Sequence, residues 1–369
     1  MFSGAQLRRT PVSEQSPRFR QVLGQFAGYK PGKAPSAAAG CTFKLSSNES
    51  PYEPLPSVAA VIAAAASHIN RYPDNGAAEL TDAIASRCGV PAEHVAIGCG
   101  SVGIAQQLLE AVGEPGAEVL YAWRSFEAYP YLTDLANATS VQVPLLDNGH
   151  DLSGMAAAIT DRTRLIFVCT PNNPTGVAVR QDELTEFLDR VPADCLVVID
   201  EAYVQYVRDP DAADGLLLYA DRPNVAVLRT FSKAYGLAGL RVGYLIGHEP
   251  VAEAVRKTML PFTVNSLAQA AAVASLAAES ELLERVELVV KERDRVRHEL
   301  LGQGWALPPS EANFVWLPLR ERSAEFSEHC DAAGVSVRPY ASDGVRVTIA
   351  DPQANNAFLA AAASYPHRA

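Results

Sequence analysis

The chain has 369 residues, 48% of them apolar and 20% charged, with a formal net charge of −11. It is long enough for two domains with a sizeable core and too apolar for a disordered chain. The acidic balance disfavours a nucleic-acid partner, which asks for a basic face, and no apolar run approaches the ~18 residues of a membrane helix.

The opening MFSGAQLRRTPVSEQ carries two arginines but no apolar segment after them, so no secretion signal is read. Residues 1–45, rich in Pro, Gly and Ala, are expected as an irregular arm. From residue 78, helical segments alternate with short apolar runs: HVAIGC (94–99), EVLYA (118–122), SVQVPL (140–145), RLIFVCT (164–170), CLVVID (195–200), VAVLRTF (225–231) and VGYLIG (242–247). Such runs, separated by helices, predict strands buried on both faces of a mostly parallel sheet. The expectation is an α/β layered domain over 46–262. After Pro261 the pattern changes. Residues 266–304 read as helical, and NFVWLPL (313–319), VSVRPY (335–340) and GVRVTIA (344–350) as strands around another helical segment. This predicts a smaller α+β domain over 263–369, with part of the arm packed on it. The six cysteines form no CxxC pair and the seven histidines no HxxxH or HExxH spacing. Neither a metal site nor a disulfide framework is expected, and a reducing cytoplasm is the natural location.

Four segments fall at strand ends, where open α/β sheets bind ligands. GCGSVGIAQQLL (98–109) is either a plain strand-to-helix turn or a helix start whose free amides hold a phosphate. CTPNNPTG (169–176) is a rigid turn able to aim an amide. LVVIDEAY (196–203) ends a buried strand on Asp200 and Glu201, which serve as a helix cap or as a buried carboxylate with a cationic partner. TFSKAYGLAGLRVGY (230–244) places Ser232, Lys233 and Arg241 among glycines. Together they meet the needs of pyridoxal phosphate: a Schiff-base lysine, a carboxylate for the ring nitrogen, donors for the phenolic oxygen and a phosphate cradle.

With SSNESPY (46–52), RYPD (71–74) and GVRVTIA added, the chain resembles the fold-type I pyridoxal-phosphate aminotransferases, in the branch of histidinol-phosphate and aromatic amino acid aminotransferases. The resemblance spans about Leu45 to Asp351. It implies pyridoxal 5′-phosphate as cofactor and Lys233 as the Schiff-base lysine and proton carrier. Asp200 would pair with the ring nitrogen, and Asn173 and Tyr203 with the phenolic oxygen. Ser232, Arg241 and the backbone of Ser101 and Val102 would hold the phosphate, and Phe126 of WRSFEAYP would stack on the ring. Arg346 would clamp the substrate's anionic end, while Tyr29 and Asn48 resemble residues lining the substrate side. Tyr72 resembles a tyrosine that reaches the cofactor phosphate of the neighbouring subunit, which implies a homodimer with shared sites.

On the substrate, histidinol-phosphate enzymes show NENPYG and a PSYS-like segment, whereas this chain has SNESPYEPLPSV and AWRSFEAYP, with Phe126 replacing a hydroxylated ring. These surroundings resemble actinobacterial aromatic aminotransferases more closely. The expected donors are phenylalanine and tyrosine, with tryptophan as a further candidate and 2-oxoglutarate as acceptor. A histidinol-phosphate aminotransferase and a decarboxylase of the threonine-phosphate type stay open within the fold. So does a regulatory module without catalysis, which would lack the lysine or add a DNA-binding domain.

Overall fold

The structure is a computed structural model that describes residues 17–24 and 43–366. A short strand, β1 (Phe43–Lys44), lies outside the main sheet. The apolar runs form β2 (Val95–Gly98), β3 (Glu118–Trp123), β4 (Thr139–Pro144), β5 (Thr163–Cys169), β6 (Leu196–Asp200), β7 (Val225–Thr230) and β8 (Gly243–Gly247). They make one seven-stranded sheet of order β2-β8-β7-β6-β5-β3-β4. The pairs from β7 to β4 are parallel, and β8 runs antiparallel to both β2 and β7.

Alternate residues feed two cores, one on each face. Val197, Ile199 and Val227 enter one, and Phe167, Val198 and Leu228 the other. Both faces are covered, which is why the runs are continuously apolar rather than alternating. The topology also brings the carboxyl ends of β2, β3, β5, β6 and β7 and the amino end of β8 to one edge.

The C-terminal strands are β9 (Phe314–Leu317), β10 (Val335–Ser336), β11 (Arg338–Tyr340) and β12 (Gly344–Thr348). An antiparallel sheet of order β11-β12-β9 forms, and β10 pairs in parallel with β1 instead. The expected VSVRPY strand is therefore divided at Val337, because its two halves serve different sheets. Phe43 N–H donates to Gly334 O at 2.8 Å and Leu45 N–H to Ser336 O at 2.7 Å, tying the end of the arm to this region. The helical stretch expected over 266–304 is two helices, Ser266–Ala277 and Glu279–Gly302, meeting at Ala278. The first packs against Pro56–Ala65 and Ala78–Cys88. Residues just beyond the expected boundary at 262/263 thus sit with helices that precede the large sheet. Among the described residues there is no metal-binding cluster and no helix long and apolar enough to cross a membrane.

Candidate active site

A cavity of about 350 Å³ opens at the shared strand edge and reaches β11 and β12. At one end the helix Gly100–Val112 begins directly after β2. Gly100 has φ +71°, and a Cβ there would lie 2.6 Å from the Arg241 guanidinium. At the start of β8, a Cβ on Gly243 would lie 2.6 Å from the Ser101 nitrogen. The two glycines allow three segments to meet, so Ser101, Val102, Ser232 and Arg241 line one end of the cavity. Arg241 Nη1 donates to Ser232 Oγ at 3.3 Å and to Ala238 O at 3.0 Å. Arg241 itself is left-handed, at φ 59°. Helix-start amides beside a guanidinium suit a phosphate.

Lys233 follows β7, and its Nζ donates to Ser47 O at 3.3 Å. Burial, then the Arg346 charge, lowers its pKa to about 7 against the opposite pulls of Glu49 and Asp200. A large neutral fraction near neutral pH is what a nucleophilic amine needs. Asp200 ends β6 and is 4% exposed. Its Oδ2 accepts a hydrogen bond from Tyr129 at 2.7 Å, while Oδ1 is buried without a partner. Burial raises its pKa to about 6. An orphaned buried carboxylate oxygen is costly, and this one belongs to a residue that lines the cavity.

The paired asparagines divide their work. Asn172 is spent on the turn, accepting from Ser125 Oγ at 2.8 Å and donating to Thr175 Oγ1 at 3.0 Å. Asn173 lines the cavity, and its Oδ1 accepts from Arg346 Nη1 at 2.6 Å. Arg346 lies on the central strand β12, 6% exposed, and also donates to Ser46 O at 2.8 Å. Its Nε has no partner, and no carboxylate among the described residues forms an ion pair with it. Phe126 lines the cavity and meets Tyr129 edge-on at 5.5 Å. The Tyr203 hydroxyl accepts from Asn48 Nδ2 at 2.9 Å, and burial raises its pKa.

Asn48 itself sits behind the wall rather than on the substrate side, where it was expected. It is 1% exposed, and its N–H donates to Thr348 Oγ1 at 2.9 Å, linking Tyr203 to β12. Tyr72 is 82% exposed and stacks on Phe262 at 4.6 Å, away from the cavity lining. Tyr29 lies outside the described residues.

Three further residues were not singled out from the sequence. Tyr129 orients Asp200 and stacks on Phe167 at 4.4 Å. Three positions after Phe126, it reads in sequence as an ordinary core aromatic. Arg338 and Glu127 line the cavity as an ion pair of 2.8 Å. That pair joins positions 211 residues apart, and only the tertiary fold brings them together.

These groups fit pyridoxal phosphate. The glycine-lined cradle suits its phosphate, the orphaned Asp200 Oδ1 its ring nitrogen, and the depressed Lys233 amine its aldehyde.

Comparison with known proteins agrees. Residues 42–362 match the family model described as aminotransferase class I and II. The chain is 63% identical to the aromatic amino acid aminotransferase of Thermobifida fusca over 97% of this chain and 100% of that protein. It is 59% identical to the protein of the same name from Streptomyces avermitilis, over 94% and 97%. Among solved structures, histidinol-phosphate aminotransferase from Sinorhizobium meliloti, in complex with pyridoxal-5′-phosphate, is similar with a TM-score of 0.86 and 29% identity, over 95% of this chain and 98% of that one.

Proposed function

The chain belongs to the class I and II aminotransferases, pyridoxal-phosphate enzymes of fold type I, and from that premise we propose its substrates and the roles of its residues. The enzyme transfers the amino group of phenylalanine or tyrosine, with tryptophan as a further donor, to 2-oxoglutarate. Full-length relatives named for aromatic amino acids, at 63% and 59% identity, support that substrate class. One observation carries the reaction type: Lys233, the orphaned Asp200 oxygen and Arg346, whose guanidinium pairs with no carboxylate among the described residues, share one cavity.

When bound, pyridoxal phosphate supplies a carbonyl that condenses with amines and a ring that accepts the electron pair left by a broken Cα–H bond. The amides of Ser101 and Val102, Ser232 Oγ and Arg241 would hold its phosphate. Phe126 would pack on its ring, and Asn173 and Tyr203 would bind its phenolic oxygen. Asp200 Oδ1 holds the proton at the ring nitrogen, since an adjacent anion favours the charged form. Arg346 binds the substrate carboxylate and so fixes the position of Cα. Lys233 Nζ takes the proton from Cα, a task matched to a pKa of about 7. Asn48 holds Tyr203 in place from behind.

The proposal includes a homodimer in which the partner's Tyr72 completes each phosphate site. The exposed stack of Tyr72 on Phe262, near exposed Leu260, supports an apolar contact there. A cytoplasmic location is part of the reading and rests on cysteine usage.

A side-by-side assay of phenylalanine, tyrosine and histidinol phosphate with 2-oxoglutarate tests the substrate. Higher kcat/KM for the aromatic donors is expected. The reverse ranking would assign a histidinol-phosphate aminotransferase. Carbon dioxide release without a 2-oxo acid would assign a decarboxylase.

A further inference from the structure

The register of β11 and β12 sets Arg338 directly opposite Arg346, and both line the cavity. Like charges facing each other across a sheet repel, so each guanidinium needs its own compensation. Arg346 is held by neutral oxygens, Asn173 Oδ1 and Ser46 O. Arg338 is held by a carboxylate, its Nη2 donating to Glu127 Oε2 at 2.8 Å. Glu127 follows Phe126 beyond β3 and lines the same cavity. The two side chains are 13% and 28% exposed, so water and salt screen the pair only partly. A second ion pair, Arg124 with Asp343 at 2.6 Å, ties the same two segments together. Neither of its members lines the cavity.

We propose that Glu127 is a specificity-determining residue. Its carboxylate neutralises Arg338, so the anion seat beside Arg346 accepts the α-carboxylate of an aromatic amino acid and disfavours the larger, more highly charged phosphate ester that histidinol phosphate carries in its place. A phosphate ester carries up to two negative charges. Beside the paired Glu127 it meets a carboxylate of like sign, whereas beside Arg338 alone it would meet two adjacent guanidiniums. The inference rests on the aromatic reading above and explains how the pocket enforces it.

The test is the half-reaction of the holoenzyme with each amino donor and no 2-oxo acid, comparing kcat/KM for histidinol phosphate with that for phenylalanine. Glu127→Gln is expected to move the ratio towards histidinol phosphate by about tenfold or more, because a like-charge contact is removed from the site. Adding Arg338→Gln to Glu127→Gln should return the ratio towards wild type, since the unmasked cation is gone. Asp343→Asn, which loosens the same segments from outside the cavity, should leave the ratio in place. An equal shift in Asp343→Asn would make loosening the cause and overturn the proposal. If wild type prefers phenylalanine and Glu127→Gln leaves the ratio unmoved, the proposal alone falls. If wild type prefers histidinol phosphate, the aromatic reading falls first and takes the proposal with it.

Discussion

Asp200 and Glu201 are adjacent carboxylates that the strand period sends to opposite faces of the sheet. Glu201 meets Arg229 at 2.7 Å and the Gly215 N–H at 2.7 Å, a closed arrangement that stabilises the fold. Asp200 keeps one oxygen unsatisfied. Its pKa, raised by burial from 3.8 to about 6, means that the folded state binds the extra proton between those values. Stability therefore falls as pH rises through that window, and the penalty is fully present above it. Cofactor-free Asp200→Asn should accordingly be more stable than wild type at pH 8, by roughly 1–3 kcal/mol, with the difference vanishing below about pH 4. Urea unfolding at the two pH values checks this. The same variant should lose roughly 10²-fold or more in turnover, since the ring nitrogen would no longer be held protonated. Equal stability at both pH values, with near-normal turnover, would make Asp200 a strand-end residue. From sequence, the acidic pair was visible but its two fates were not. Resemblance assigned Asp200, whereas the Tyr129 contact that orients it joins residues 71 positions apart.

At the scale of elements, the strands were legible because each is a continuous apolar run covered on both faces. All seven runs from HVAIGC to VGYLIG became strands. The break at Ala278 was hidden because alanine is the strongest helix former and gives no stop signal, and what divides the two helices is their different packing partners. The division of VSVRPY was hidden for a related reason, since strand propensity does not reveal which sheet a residue joins. The glycine cradle was half legible: the spacing suggested a phosphate turn, but the close approach of Arg241 to Gly100 is a tertiary fact. It yields a direct prediction. Gly100→Ala puts a methyl 2.6 Å from the guanidinium in a backbone of φ +71°. The variant should lose about 1 kcal/mol of stability from the backbone alone, and Arg241 must move away from the phosphate seat. Titration of the cofactor-free protein with pyridoxal phosphate should then show a Kd raised at least about tenfold, as expected when a charge-assisted phosphate contact is lost. An unchanged Kd would place the phosphate elsewhere.

For the whole molecule, the open question of composition is why Tyr72 stands 82% exposed, its ring covered on one side by Phe262. The proposed two-fold dimer would answer it, each site drawing Lys233 from one chain and Tyr72 from the other. Subunits of Lys233→Ala and Tyr72→Ala, each nearly inactive alone, should on exchange form mixed dimers in which one site carries both defects and the other neither. With random mixing, roughly a quarter of normal activity should return. Exchange seen by mass spectrometry without recovery would confine Tyr72 to its own chain.

Amino transfer by way of Lys233 is read most directly by glutamate formation from phenylalanine and 2-oxoglutarate. Wild-type holoenzyme should form glutamate at a steady rate. Lys233→Ala, unfolding at a similar denaturant midpoint, should be slower by at least about 10³-fold, the loss expected when the group that moves the Cα proton is removed. Transfer by Lys233→Ala at close to the wild-type rate would contradict the account.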